Sequence, residues 1–182
     1  MRKLLLLGLT FLALAGMAAA QVPTAGNIFL GYSYYSTDLS TIGRSNANGW
    51  EGSLEGRLFP FVGIVADFSG HYGTETFPVF CGLPLCLPLT ANVAEHEVLF
   101  GPRVAVPAGR FRPFAEAMFG VGRVNADAAG SDTSFADALG GGLDFRLIRP
   151  IAWRFQGDYV RTRFFTAHQS NVRLSTGIVL RF

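Results

Sequence analysis

The chain has 182 residues, of which 49% are hydrophobic and only 15% are charged, and it contains 22 Gly and 17 Phe residues. This composition excludes a disordered chain and a highly charged coiled coil, and it lacks the large basic field of a nucleic-acid-binding protein. The length corresponds to one domain.

The first 20 residues have the parts of a secretory signal peptide. Arg2 and Lys3 precede a mostly apolar run, and small residues precede Gln21. The run is shorter than the roughly 20 apolar residues of a transmembrane helix, so a cleaved leader fits better than a retained anchor. We predict a signal peptide at 1–20 and a single domain at 21–182.

Every cationic side chain of the predicted mature domain is an arginine. Removal of Arg2 and Lys3 leaves 15 − 2 = 13 cationic residues against 13 anionic ones, and Lys3 is the only lysine. Arginine has a rigid fork suited to bidentate carboxylate pairing in enclosed places, whereas solvated surfaces usually include lysine. The composition therefore indicates charges that lie inside the protein.

Apolar and polar residues alternate with a period of two along the mature chain, and no segment has a sustained helical stripe. This pattern indicates an all-β protein. It predicts eight strands, at 27–36, 50–58, 62–72, 93–105, 111–122, 135–147, 151–163 and 172–182. Short connections near 60–61, 107–109 and 148–150 alternate with longer ones over roughly 37–48, 73–92, 124–134 and 164–170.

Strand length and aromatic placement favour a barrel whose apolar row faces lipid. Strands of about 9–11 residues span a bilayer when tilted, and a closed barrel satisfies every backbone hydrogen bond. Aromatic residues near the strand ends are typical of interfacial girdles; they are Tyr34, Tyr35, Trp50, Phe59, Phe61, Tyr72, Phe111, Trp153, Phe164 and Phe182. A water-soluble barrel or sandwich with an aromatic core is the alternative.

The polar row carries a nearly balanced set of carboxylates and guanidiniums. An eight-stranded barrel has an interior just wide enough for side chains to fill, so this row predicts a paired charge network inside it. The network residues are Glu51, Glu55, Arg57, Asp67, Glu95, Glu97, Arg103, Arg112, Glu116, Asp144, Arg146, Arg154, Asp158, Arg173 and Arg181.

The chain ends in Ser-Thr-Gly-Ile-Val-Leu-Arg-Phe, residues 175–182. This segment resembles the C-terminal signal of bacterial outer-membrane β-barrels. Together with the leader, it makes the chain similar to small eight-stranded barrels of the outer-membrane-protein-A-like and porin-like superfamily. The resemblance implies an antiparallel, up-and-down transmembrane barrel, and it implies that Gly177, Leu180 and Phe182 are read by the barrel assembly machinery.

Cys81 and Cys86 bracket four residues in the longest predicted loop. An exported chain meets an oxidising compartment, so we predict a disulfide between them. Such a short ring pins a loop and adds little to the stability of the fold. A metal site would need more ligands than these two thiols and the remote His71.

The segment His168-Gln169-Ser170-Asn171 resembles the His-x-Ser-Asn motif of outer-membrane lipid A deacylases, in which His and Ser act as base and nucleophile. No acidic residue follows Asp158, so the orienting acid of that motif is missing. We therefore predict no catalytic residues and no cofactor or metal.

The sequence predicts an outer-membrane barrel with a structural or surface-interaction role. The expected partners are outer-membrane lipid and the assembly machinery, with no nucleic acid and with a surface partner that the sequence does not identify. A small pore for ions or solutes is one alternative, and a lipid A deacylase-like enzyme is another.

Overall fold

A computed structural model describes residues 25–39, 43–77, 89–127, 130–165 and 167–182. The predicted signal peptide at 1–20 and the pair Cys81 and Cys86 lie outside these residues. Within them, no helix is long and apolar enough to cross a bilayer.

Eight strands form a closed barrel in which every neighbouring pair is antiparallel. The strands are β1 Gly26–Leu39, β2 Gly43–Arg57, β3 Val62–Phe77, β4 Leu89–Ala105, β5 Phe111–Ala126, β6 Gly130–Arg146, β7 Ile151–Phe164 and β8 Ala167–Arg181. Each strand pairs with the next along the chain, and β8 pairs with β1 to close the barrel. The predicted fold class is confirmed.

The strands are longer, and four of the connections shorter, than the sequence pattern predicted. Cα pairing continues to Leu39 and Gly43 between β1 and β2, and to Phe77 and Leu89 between β3 and β4. The sequence predicts connections over 37–48 and 73–92, whereas the strands extend into both ranges. Antiparallel pairing uses backbone groups, so it continues beyond the point where the apolar row ends.

One end of the barrel carries three short turns, at residues 58–61, 106–110 and 147–150, together with Ala25 and Phe182. We call this the turn end and the opposite end the loop end. Gly109 in the second turn has a φ of 65°, a left-handed conformation that glycine adopts without steric cost.

The outer face is apolar across the middle of the wall, and the inner face is polar. Leu30 and Leu139 are each 66% exposed, whereas Arg154 and Arg173 are 0% exposed. This is the inverse of a water-soluble protein, in which charged side chains are almost never fully buried unless paired. The period-two pattern therefore separates the two faces as predicted.

Two aromatic residues of the predicted girdles lie inside the barrel. Tyr35 is 0% exposed and Phe164 is 1% exposed. Alternate residues of a strand point to the same face of the sheet. Tyr35 therefore points inward with Ser33, and Phe164 points inward with Thr162. Their assignment to an interfacial girdle was therefore wrong, while Trp50, Tyr72 and other predicted members are exposed.

Gly177 lies at the seam that closes the barrel. It pairs with Gly31 across β8 and β1. A Cβ atom at position 177 would overlap backbone atoms of Leu30 and Gly31. The close approach of these two backbones gives Gly177 a structural role in closure, besides the role in assembly that the sequence predicts.

Candidate functional site in the barrel interior

The structure places most of the predicted charge network inside the barrel. Twelve of the side chains are buried, and they are Glu51, Glu55, Asp67, Glu95, Glu97, Arg103, Arg112, Glu116, Asp144, Arg154, Asp158 and Arg173. Arg146 and Arg181 are half-buried near the turn end, where Arg146 donates to the carbonyl of Gly109 at 2.8 Å. Arg57 is exposed. Its placement in the interior was wrong, because it is the last residue of β2 and lies at the open rim.

The charged residues nearest the turn end form a paired group, which we call the lower cluster. Arg103 Nε donates to Glu116 at 2.6 Å and its Nη1 to Glu55 at 3.1 Å. Glu55 also accepts from Arg112. The members are Glu55, Arg103, Arg112, Glu116, Asp144, Arg154 and Arg181. The group has three carboxylates and four guanidiniums, so most of its positive and negative charges are paired with one another.

Asp144, on β6, contacts arginines of three other strands in the lower cluster. It accepts from Arg154 Nε at 2.7 Å and lies 3.4 Å from Arg112 Nη1. Arg181, on β8, donates to it at 3.3 Å. Charge-assisted bonds of this kind hold strands β5 to β8 at fixed positions around the interior.

The ring of Phe114 contacts two guanidiniums in the interior. The Cζ atom of Arg103 lies 4.5 Å from the ring centroid, and that of Arg154 lies 4.6 Å from it. Cation–π contacts of this geometry stabilise desolvated guanidiniums. A Cβ at Gly142 would lie 2.7 Å from Phe114 Cζ, so the glycine leaves room for the ring. Gly142 thus has a packing role in the interior.

Arg173 is the centre of a second group nearer the loop end, which we call the upper cluster. Its guanidinium lies 2.8 Å from Asp67 and 2.8 Å from Asp158. Glu51 and Glu97 lie 3.4 Å and 3.7 Å from it. Among the described interior residues, Arg173 is the only guanidinium that contacts these four carboxylates.

Tyr35 extends the upper cluster towards the loop end. Its hydroxyl donates to Glu97 at 2.9 Å, lies 3.3 Å from Glu95 and accepts from Asn171 at 2.8 Å. Its ring stacks on His71 with centroids 4.4 Å apart. His71 Nε2 is in turn 2.8 Å from Ser33 Oγ. The sequence pattern predicted Tyr35 in an aromatic girdle, although its place two residues after Ser33 puts it on the inward row.

Neutral polar side chains also donate hydrogen bonds to the carboxylates of the upper cluster. Gln156 donates to Glu51 at 2.9 Å and to Asp158 at 2.9 Å. Ser175 donates to Glu51, and Ser69 donates to Glu97 at 3.2 Å. Hydrogen bonds of this kind between buried polar groups make the interior rigid. The arrangement suits mechanical support of the wall.

His71 and Asp67 contact different partners in the structure. His71 contacts Tyr35 and Ser33, and Asp67 contacts Arg173. Within the described ranges, no three His, Cys, Asp or Glu side chains converge in a way that could hold a metal ion. His168 is exposed on the outer face, opposite Arg163 on β7.

Three solved structures show what this fold resembles. Neisserial surface protein A has a TM-score of 0.67 and 12% identity, covering 87% of this chain and 99% of its own. Ail of Yersinia pestis, in complex with the heparin analogue sucrose octasulfate, has a TM-score of 0.59 and 15% identity, covering 87% and 98%. The N-terminal β-barrel domain of Pseudomonas aeruginosa OprF has a TM-score of 0.50 and 12% identity, covering 89% and 100%.

No protein-family profile matches the chain, and no curated protein matches its sequence. The structural matches and the strand topology show that the chain shares the fold of small eight-stranded outer-membrane β-barrels. At identities of 12–15% the likeness establishes this fold alone.

Proposed function

We propose that this chain is an outer-membrane β-barrel protein that holds segments at the cell surface, in a structural or surface-interaction role. The inverted polarity of the barrel carries the proposal. Its outer wall presents apolar side chains in a belt, and its fully buried charges are paired inside. In a bilayer such a wall buries its apolar surface in acyl chains, and closure leaves no strand edge unpaired.

The proposal includes export and a local cross-link in the surface segments. Residues 1–20 direct the chain out of the cytoplasm and are removed, and the assembly machinery then reads Gly177, Leu180 and Phe182. The residues between β3 and β4 contain Cys81 and Cys86, which form a disulfide in the oxidising compartment. The known complex of Ail with a heparin analogue supports, by analogy, a polyanionic surface partner.

Location is tested by thiol labelling on intact cells. We expect Thr133→Cys, near the loop end, to react with a membrane-impermeant maleimide, because the loop end faces outward. Arg149→Cys, in a turn at the opposite end, should react only after the outer membrane is permeabilised. The wild type measures any background from Cys81 and Cys86. Recovery of the protein in the soluble fraction, or labelling of Arg149→Cys alone on intact cells, would contradict the proposal.

The filled interior predicts that the protein does not conduct. Phe114 with Arg103 and Arg154 occupies the cross-section at one level, and Arg173 with its carboxylates occupies it at another. We therefore expect the purified protein to add no steady conductance to a planar lipid bilayer at physiological salt. Reproducible stepwise openings in the wild type would instead favour a small pore.

A further inference from the structure

The three short turns share an unusual composition. Residues 57–61 read Arg-Leu-Phe-Pro-Phe, residues 106–110 read Val-Pro-Ala-Gly-Arg, and residues 146–150 read Arg-Leu-Ile-Arg-Pro. Each turn combines apolar residues with arginine, and none contains a carboxylate. Surface turns are usually polar, so a solvated surface does not account for this composition.

The apolar residues of these turns are exposed. The exposed fraction is 65% for Phe59, 61% for Ile148 and 51% for Val106. Arg57, Arg110 and Arg149 are exposed beside them. Exposed apolar and cationic side chains therefore occur together at all three turns. We call this set the basic rim, and its members are Arg57, Phe59, Val106, Arg110, Ile148 and Arg149.

Backbone hydrogen bonds hold the basic rim in place. Arg146 N donates to the carbonyl of Arg110 at 2.8 Å, which ties the second turn to the end of β6. Arg181 N donates to Pro150 at 2.9 Å and Arg57 N donates to Ala25 at 3.0 Å. These bonds join the second turn, the third turn and the residue before β1 to neighbouring strands. The arginines therefore extend from a fixed backbone.

The carboxylates nearest the basic rim are already paired inside the barrel. Glu55 accepts from Arg103 at 3.1 Å, and Asp144 accepts from Arg154 at 2.7 Å. Among the residues that the structure describes, no carboxylate side chain pairs with Arg57, Arg110 or Arg149. At the loop end, by contrast, Arg161 pairs with Asp137 at 2.7 Å. Arg57, Arg110 and Arg149 therefore give the turn end positive charge that no described carboxylate side chain neutralises.

We propose that the basic rim binds the phosphodiester headgroups of anionic phospholipids in the membrane leaflet around the turn end. Arginine pairs with phosphate through two parallel N–H bonds. A ligand that satisfies both features of the rim has an anionic head on an apolar body, which is what such a lipid offers. The exposed phenylalanine and isoleucine side chains enter the interface beneath the headgroups. This inference rests on the proposed membrane location.

The test compares lipid retention by purified full-length protein reconstituted in nanodiscs of equimolar phosphatidylglycerol and phosphatidylcholine. Native mass spectrometry then counts the phospholipids that stay bound after the disc is released. We expect the wild type to retain phosphatidylglycerol in preference to phosphatidylcholine. One arginine near an anionic surface raises the affinity for that surface about fivefold. The triple variant Arg57→Gln, Arg110→Gln, Arg149→Gln should therefore have a preference for phosphatidylglycerol that is weaker than that of the wild type by about tenfold or more.

Two matched variants separate the basic rim from general electrostatics. The triple variant Arg123→Gln, Arg161→Gln, Arg163→Gln removes the same charge at the loop end and should keep most of the preference. The rim variant Arg57→Lys, Arg110→Lys, Arg149→Lys keeps the positive charge and should also keep most of the preference for phosphatidylglycerol. Equal loss in the rim and loop-end Gln variants would overturn the proposal, and so would equal retention of the two lipids by the wild type.

The outcomes also separate this inference from the proposed function. Insertion into phosphatidylcholine discs without a headgroup preference would leave the membrane location standing and overturn the rim proposal. Failure to insert into any disc would instead contradict the proposed function. Glycerophosphoglycerol, added alone in detergent, supplies the phosphodiester headgroup without the acyl chains. We expect no thermal stabilisation from it, and stabilisation comparable with that from the lipid would overturn the assignment to a lipid.

Discussion

The variant Arg173→Ala is expected to be less stable than the wild type by about 3–5 kcal/mol, the usual cost of removing one partner from a buried ion pair. Arg173 is fully buried and lies 2.8 Å from both Asp67 and Asp158. Its loss leaves these carboxylates, with Glu51 nearby, in the interior without a guanidinium. Because proteins typically unfold with a free energy of about 5–15 kcal/mol, a loss of this size removes a large fraction of the stability.

The measurement is urea unfolding in lipid vesicles, followed by fluorescence of the two tryptophans, Trp50 and Trp153. Arg161→Ala is the control, because its pair with Asp137 is exposed at the loop end and is worth at most about 1 kcal/mol. Arg173→Lys keeps the charge and should fall between the two, which keeps the test informative if the Ala variant does not fold. An Ala variant as stable as Arg161→Ala would show that the upper cluster does not depend on Arg173.

The variant Leu30→Arg is expected to destabilise the barrel by about 2–4 kcal/mol in vesicles, which is the cost of an arginine facing the hydrocarbon core. Leu30 is 66% exposed and lies on the outer face between Ile28 and Tyr32. In water the same substitution on an exposed site is nearly neutral. The size of the loss therefore reports directly which solvent the outer face contacts.

The matched control is Thr133→Arg, which adds the same side chain to an exposed outward position near the loop end. It should change the free energy of unfolding by less than about 0.5 kcal/mol, as surface substitutions usually do. If Leu30→Arg is as stable as this control, the outer face contacts water and the membrane assignment fails.

The fold was predictable because its main signal is local. Alternation with a period of two is a property of neighbouring residues, and it places Glu95, Glu97 and Arg103 on one face of β4 without knowledge of the partner strands. The structure has these three side chains buried. The same signal ends where the apolar row ends, so it underestimated the strands towards the loop end and misjudged Arg57 at the rim.

The contacts within the interior were not predictable in this way. Arg173 and Asp67 are 106 residues apart in sequence and meet only because the stagger of the closed barrel brings β8 opposite β3. Alternation gives the inward direction of each side chain and leaves the stagger undetermined. The contacts of Phe114 with Arg103 and Arg154 also depend on the stagger of the barrel.

The extra strand length has a mechanical consequence. β4 has 17 residues, whereas a tilted strand crosses the hydrocarbon region in about 9–11. Because the turn end stays close to one membrane boundary, most of the surplus projects beyond the other, by on the order of 10–15 Å at the usual rise and tilt. In the proposed membrane location, the hydrogen-bonded wall forms a stiff collar that ends at a fixed height above the headgroups.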